Sequence, residues 1–259
     1  EWDTDGDGTY ETNTALSDQV NPTLIENGEY HLGVKVTNTH GAWDTDHAII
    51  EAVGDWAHSW GQTQFDQVND VLQTSDGSIF ATGITTHPDG PQDDNLLLLR
   101  VSATGILVWA RTWDTGADES GQCISQMQNG DLVVAGWVDA GGYTDALVMR
   151  WTRGGEVVWS KRYGGDNSDE ARALVTDGDN IYVAGDSMST SSSTQDFFLM
   201  RLDSNGAHFW AAGRDRGYSE AVSDLEPLRD YTGQLQSLII LGTTWIDILT
   251  PVPWKVEYY

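Results

Sequence analysis

Short apolar runs, each bounded by turn residues, follow one another along most of the chain and recur at intervals of about fifty residues. The segments "SDGSIFATG", "QNGDLVVAG" and "DGDNIYVAG" each place a turn before a β-rich run that ends at a glycine, namely Gly83, Gly136 and Gly185. The segments "DNLLLLRV", "TDALVMRW" and "QDFFLMRL" are continuous apolar stretches of strand length, as expected for strands covered on both faces. The pattern shows no helical period and predicts an all-β chain.

A tryptophan marks the same point of each repeat. Trp56, Trp109, Trp159 and Trp210 are spaced by 53, 50 and 51 residues. A glycine stands four residues ahead of each of the last three: Gly105, Gly155 and Gly206. Four short strands in each unit of this length are typical of β-propeller blades. A closed β-sandwich does not explain such a repeat.

We therefore predict a four-bladed β-propeller over residues 55–259, with blades at about 56–108, 109–158, 159–209 and 210–259. The chain stops where the fourth blade needs its outermost strand, and "DWAHSW" at residues 55–60 can supply it. Closure by this strand exchange would remove the free sheet edges.

One stretch of the repeat region, "WSKRYGGDNSDEARALVTDGDNIYVAG", resembles the bacterial propeller repeats of extracellular proteins. In those repeats a tyrosine and two glycines follow the outer strand, and an Asp-Glu pair opens the next blade. The resemblance implies a propeller in an extracellular setting, although propellers of this kind usually have more than four blades.

An arginine ends the apolar run of each clear repeat: Arg100, Arg150 and Arg201, five residues after Asn95, Asp145 and Asp196. Two interpretations are open, a functional ring of guanidinium groups or a structural tie to a neighbouring element. Because the feature recurs in each clear repeat, the structural tie is favoured.

Residues 1–54 lie outside the repeat and predict half of an antiparallel sandwich. Leu32, Val34 and Val36 alternate before a turn at "NTHG", and a second strand runs through Ile49 and Ile50. The segment resembles the PKD domain, an Ig-like module of surface proteins, on the residues Trp2, Asp3, Asp7, Gly8, Asn21, Pro22, Gly28 and Tyr30. A complete PKD domain has about two more strands before this point. Either the sequence is a segment of a longer protein, or a neighbouring subunit supplies the missing strands.

The opening "EWDTDGDGTYET" raises the question of a calcium site at Asp3, Asp5 and Asp7. The first residues fit an EF-hand loop, but the twelfth position is Thr14, which cannot give a bidentate carboxylate. A strand turn is therefore favoured, and calcium held in a looser, PKD-like manner is the alternative. Calcium is the one cofactor that the sequence suggests.

The composition limits the classes of partner. With 40 acidic and 13 basic residues, the net charge of −27 would repel nucleic acid and anionic membranes. No run approaches the roughly 18 apolar residues of a membrane span. The single cysteine, Cys123, rules out an internal disulfide and is expected to be a buried, inert thiol. An acidic surface with three lysines suits high salt, divalent cations or colloidal solubility outside a cell, and these three interpretations stay open. Together with the propeller resemblance, we expect an extracellular or cell-surface location.

The sequence offers no catalytic motif, and the predicted chemistry is that of a binding surface. The loops between blades and the loops joining second to third strands share one face of a propeller. That face would gather Trp113, Asp114, Trp137, Tyr143, Asp166 and Asp186. Aromatic rings beside carboxylates suit sugars or a protein partner. For Trp113 and Trp137, packing between blades is the competing interpretation.

The favoured function is a non-enzymatic extracellular or cell-surface protein that acts in adhesion, structural assembly, or carbohydrate or protein binding. Two alternatives stay open: a secreted glycan-processing enzyme or its accessory module, and a subunit of an extracellular filament or lattice completed by strand donation.

Overall fold

The computed structural model describes residues 65–86, 93–139, 141–189, 194–214 and 219–242, together with the backbone of four further strands. Every regular element in this described part is a β-strand. The chain divides into two compact units, Glu1–His58 and Ser59–Tyr259. No described segment is a helix of the length and apolar character that crossing a membrane requires.

The first unit contains one antiparallel sheet of three strands, β1 (Trp2–Asp3), β2 (Gly28–Thr37) and β3 (Trp43–Ala52), in that order. The predicted alternating strand lies in β2, and Ile49 and Ile50 lie in β3. The predicted calcium ligands Asp5 and Asp7 lie outside the described residues, and for Asp3 only the strand is described. A second layer that would make a sandwich is not among the described strands.

The second unit consists of antiparallel sheets whose strands follow one another in chain order. Sheet 1 contains β4 (Asp66–Gln73), β5 (Ile79–Thr86), β6 (Asp94–Val101) and β7 (Leu107–Trp113). Sheet 2 contains β8 (Glu119–Gln126), β9 (Leu132–Asp139), β10 (Thr144–Trp151) and β11 (Val157–Tyr163). Sheet 3 contains β12 (Asp169–Asp177), β13 (Asn180–Ser187), β14 (Asp196–Asp203) and β15 (His208–Arg214). Sheet 4 contains β16 (Val222–Arg229), β17 (Leu235–Gly242) and β18 (Ile246–Leu249).

Sheets 1, 2 and 3 each contain one copy of the repeat, and Trp109, Trp159 and Trp210 lie in their last strands. Neighbouring sheets pack face to face through apolar clusters. Phe80, Leu96 and Leu98 of sheet 1 meet Leu147 and Met149 of sheet 2, and comparable clusters join sheet 2 to sheet 3 and sheet 3 to sheet 4. The first strands of successive sheets also lie beside one another. This arrangement is propeller-like; the predicted closing strand at residues 55–60 lies outside the described residues.

The glycine that ends each β-rich run faces a β-bulge in the first strand of its sheet. The register of β8 against β9 shifts between Gly121 and Cys123, opposite Gly136. A Cβ on Gly136 would lie 1.9 Å from the carbonyl oxygen of Ser120. The same contact would be 1.9 Å at Gly83 and 2.0 Å at Gly185. The bulge therefore excludes any side chain from this point of the repeat.

The tryptophan and glycine of the repeat meet across the boundary between sheets. Trp159 of sheet 2 donates its Nε1–H to the carbonyl of Ser204, at 3.0 Å, in the β14–β15 turn of sheet 3. Gly206 of the same turn has φ +69° and lies so close that a Cβ would be 3.0 Å from the Trp159 ring. Lys161 donates to the carbonyls of Asn205 and Gly206 at 2.8 and 2.9 Å. The tryptophan strand of one sheet thus holds the turn of the next.

The arginine column has the structural role that the sequence favoured. Arg150 donates to Asp131 Oδ2 just before β9, at 2.8 Å from Nε, and to the Ser204 carbonyl of sheet 3 at 2.7 Å. Arg201 and Arg100 make the corresponding contacts within their own sheets, to Asn180 and Ser78. These side chains join neighbouring strands, and in the case of Arg150 neighbouring sheets.

Candidate functional site

The loops between sheets and the loops after second strands meet at one end of the second unit, which we name the loop end. Thr86 donates its backbone N–H to Phe65 at 2.9 Å, Asp139 to Asp118 at 2.8 Å, and Met188 to Ser168 at 2.8 Å. Each bond joins the residue at or just past the end of a second strand to the residue just before a first strand. This geometry agrees with the expectation that the two kinds of loop share one face.

The six predicted binding residues lie at or near the loop end but differ in exposure. Asp114, Tyr143 and Asp166 are exposed, Trp113 and Trp137 are half-buried, and Asp186 is buried. Trp113 packs against the apolar cluster between sheet 1 and sheet 2, as its competing interpretation expected. The part these residues take in binding stays a prediction.

Asp186 has both carboxylate oxygens occupied. Oδ1 accepts the backbone N–H of Val222 in sheet 4 at 2.7 Å, and Oδ2 accepts Nε–H of Arg172 at 3.0 Å. Since only 5% of Asp186 is exposed, the side chain joins sheet 3 to sheet 4 rather than facing solvent.

A pocket of about 520 Å³ opens between sheet 2 and sheet 3 near the loop end. Its apolar wall is formed by Phe198, Met200 and Ala211 of sheet 3. The polar and small lining residues are Arg162, Tyr163, Gly164, Gly165, Asp169, Ser187, Ser189 and His208. None of the six predicted binding residues lines this pocket, although Asp166 and Asp186 are next in sequence to residues that do. The volume is in the range of small-molecule sites.

The boundary between sheet 2 and sheet 3 carries smaller residues than the equivalent boundary between sheet 1 and sheet 2, which leaves room for the pocket. Ser187 stands where sheet 2 has Val138, which is fully buried against sheet 1. Gly164 and Gly165 follow Tyr163 where Asp114 and Thr115 follow the equivalent Trp113. The residues "YGG" were noted in the sequence as part of a resemblance, but their consequence for packing requires the interface between sheets.

Hydrogen bonds fix the rim of the pocket. Asp169 is 4% exposed, and its Oδ2 accepts Gly165 N–H and Ser189 Oγ–H, both at 2.8 Å. Tyr163 donates its hydroxyl to the Gly206 carbonyl at 2.8 Å. Burial of that hydroxyl, followed by the nearby charge of Asp203, raises the pKa of Tyr163 to about 12. Arg162 and His208 are exposed and give the rim its basic groups.

Gly165 also shows how closely the rim is packed, since a Cβ there would lie 2.7 Å from Ser189 Cβ. Glycine at position 165 therefore lets the loop approach Ser189, just after β13 of sheet 3.

The described residues contain no group of three or more His, Cys, Asp or Glu side chains placed to hold a metal ion together. Cys123 is buried, donates its thiol to the Ala135 carbonyl at 3.6 Å, and has a pKa raised by desolvation. An unreactive thiol, as expected from the sequence, follows from this environment.

Comparison with known proteins supports the propeller-type repeat. Residues 179–207 match the model of a family described as a β-propeller domain of unknown function, DUF5122. The chain therefore contains a propeller-type repeat region. A region of 154 residues is 28% identical to the regulatory protein FlaEY of Caulobacter vibrioides, a match that covers 49% of this chain and 16% of that protein.

Among solved structures, the endo-arabinase of Bacteroides thetaiotaomicron is similar at 12% identity and a TM-score of 0.44. The match covers 89% of this chain and 92% of the enzyme.

Proposed function

We propose that the repeat region is a non-enzymatic binding module that takes a carbohydrate in the pocket between sheet 2 and sheet 3. The observation that carries the proposal is the composition of the pocket wall. Phe198 and Met200 offer an apolar surface, and Arg162, Asp169, Ser187 and His208 surround it with donors and acceptors. A sugar ring has an apolar face and a rim of hydroxyls, which is the complement of this arrangement.

The role of Asp169 favours binding over catalysis. Its Oδ2 is already engaged by Gly165 and Ser189, so the carboxylate serves first to hold the loop in place. A free general base would need an oxygen directed at a substrate proton.

The setting of this module is proposed from the sequence. The net charge of −27 and the lysine-poor composition support an extracellular or cell-surface location, with adhesion or surface assembly as the wider role. The sheet β1–β3 is proposed to belong to a PKD-like module, and four blades closed by residues 55–60 remain the proposed ring.

The test is a screen of the full chain against a panel of soluble polysaccharides, followed by calorimetry on any ligand found. Phe198→Ala is expected to weaken binding about tenfold or more, because the ring is the largest apolar group of the wall. Phe209→Ala is the matched control, since it removes an aromatic ring that is 59% exposed and not part of the pocket. His208→Ala, at an exposed rim position, tests the site without disturbing the core.

Equal affinity of the Phe198 and His208 variants to the wild type would refute the pocket as the binding site. A further outcome is that the wild type releases reducing ends from a bound polysaccharide. If it does, and Asp169→Asn does not, the glycan-processing enzyme replaces the binding module as the proposed function.

A further inference from the structure

A buried carboxylate at the boundary between sheet 1 and sheet 2 lacks a hydrogen-bond donor for one of its oxygens. Glu119, the first residue of β8, is 0% exposed. Its Oε1 accepts the backbone N–H of Thr115 at 3.0 Å and also the Thr115 hydroxyl. Its Oε2 is buried and has no hydrogen-bond partner. A charged oxygen in this state is unfavourable unless a cation or a proton accompanies it.

A second carboxylate nearby, that of Asp93, also has a buried oxygen without a hydrogen-bond donor. This oxygen is Oδ1 of Asp93. The segment that carries it is tied to the loop before β8, because Asp94 donates its N–H to Asp118 Oδ1 at 2.9 Å. Burial is the largest cause that raises the pKa of Glu119, and the charges that add to it are those of Asp114 and Asp93. The charged neighbours that act on Glu119 are thus acidic.

The equivalent position of the next sheet shows the contrast. Asp169 begins β12 as Glu119 begins β8, and its Oδ2 accepts two donors, the N–H of Gly165 from the loop before β12 and the hydroxyl of Ser189 from the loop after β13. At Glu119 the loop supplies its donors to Oε1 alone, and Oε2 receives none. The residue of this loop whose charge acts on Glu119 is Asp114, an acidic neighbour rather than a donor.

We infer that Asp93 and Glu119 bind a divalent cation of the calcium class between sheet 1 and sheet 2. The donors are all oxygens, which excludes the nitrogen and sulfur ligands preferred by zinc. Calcium accepts two carboxylates together with backbone carbonyl and water oxygens in an irregular shell. This site is separate from Asp3, Asp5 and Asp7, and from the pocket between sheet 2 and sheet 3.

The experiment uses the full chain with Asp3, Asp5 and Asp7 changed to Asn, so that the N-terminal aspartates cannot contribute. Calorimetric titration with Ca²⁺ is expected to show about one site. Calcium at about 100 times its Kd is expected to raise Tm by roughly 5–10 °C. Adding Glu119→Gln or Asp93→Asn is expected to weaken calcium binding at least tenfold. Asp179→Asn, which removes the same charge from an exposed turn, is the matched control and is expected to bind as its parent does.

Absence of calcium binding in the parent, or equal binding in Glu119→Gln and Asp93→Asn, would overturn the inference. If Glu119 is instead neutralised by a proton, the parent shows no calcium response and Glu119→Gln is as stable as its parent. Should Glu119→Gln fail to fold, the Asp93→Asn titration decides alone, because Asp93 lies partly buried just before β6.

Discussion

The bulge in each first strand makes a sharp prediction for the glycine opposite it. In Gly136→Ala the new methyl group would lie 1.9 Å from the Ser120 carbonyl oxygen and 3.0 Å from the Gln122 nitrogen. Both obstacles are backbone atoms of β8, so no side-chain rotation relieves the contact. The oxygen has to move by about an ångström, which disrupts the packing of β8 between sheet 1 and sheet 3.

Overpacking of this kind costs about 3 kcal/mol at the upper end of its usual range. The reduced entropy of the unfolded chain offsets about 0.5–1 kcal/mol of that cost. We therefore expect Gly136→Ala to lower the free energy of unfolding by about 2–2.5 kcal/mol, and Tm by roughly 4–10 °C.

Urea and thermal unfolding, followed by tryptophan fluorescence, measure both quantities. Gly154→Ala is the matched control, because its methyl group would meet only the terminal oxygens of exposed Glu156, at 2.8 Å and beyond. That side chain can rotate away, so the control should stay within about 0.5 kcal/mol of the wild type. A Gly136 variant as stable as the Gly154 variant would show that the bulge does not demand glycine.

Two further predictions concern the contacts between sheets. Tyr163 is neutral in its hydrogen bond to Gly206, and its pKa is raised to about 12; the stability it contributes is therefore full below about pH 10 and lost as pH rises through 12. Urea unfolding at a series of pH values measures this loss, and Tyr163→Phe should reduce it between about pH 10 and 12. An unchanged pH profile would show that Tyr163 is not its cause. Asp186→Ala leaves the buried N–H of Val222 without its acceptor and should cost about 1–3 kcal/mol in the same assay; a neutral result would mean that the bond between sheet 3 and sheet 4 is dispensable.

The sequence predicted the strands of the repeat well, because their physical requirements are local. A covered strand needs a continuous apolar run, and "DNLLLLRV" and "TDALVMRW" became β6 and β10. The role of the repeated tryptophan was not visible in the same way. Its partner, the turn at Gly206, belongs to the next sheet, and only the packing of two sheets brings Trp159 and Gly206 together.

The candidate site was harder to predict, since a pocket is an absence of packing between two repeats. Ser187 signals the pocket only when it is compared with Val138 and when both are known to face the preceding sheet. Asp186 was selected as an acidic residue near a loop, but its carboxylate is occupied by Val222 of sheet 4 and by Arg172 of sheet 3. The composition shows that carboxylates are abundant. It does not show which carboxylates lack a hydrogen-bond donor, because that depends on the fold.

The contact of Trp159 with the turn at Ser204–Gly206 gives the array a direction. The boundary between sheet 2 and sheet 3 has two unlike halves, the strand that carries Trp159 and the turn that carries Gly206, so two identical halves do not fit each other. The unit therefore carries two different contact surfaces, one for the preceding unit and one for the following unit, and the array is head-to-tail. A duplicated unit of this kind would meet its neighbour through the same two halves, so the array can lengthen without a new type of interface.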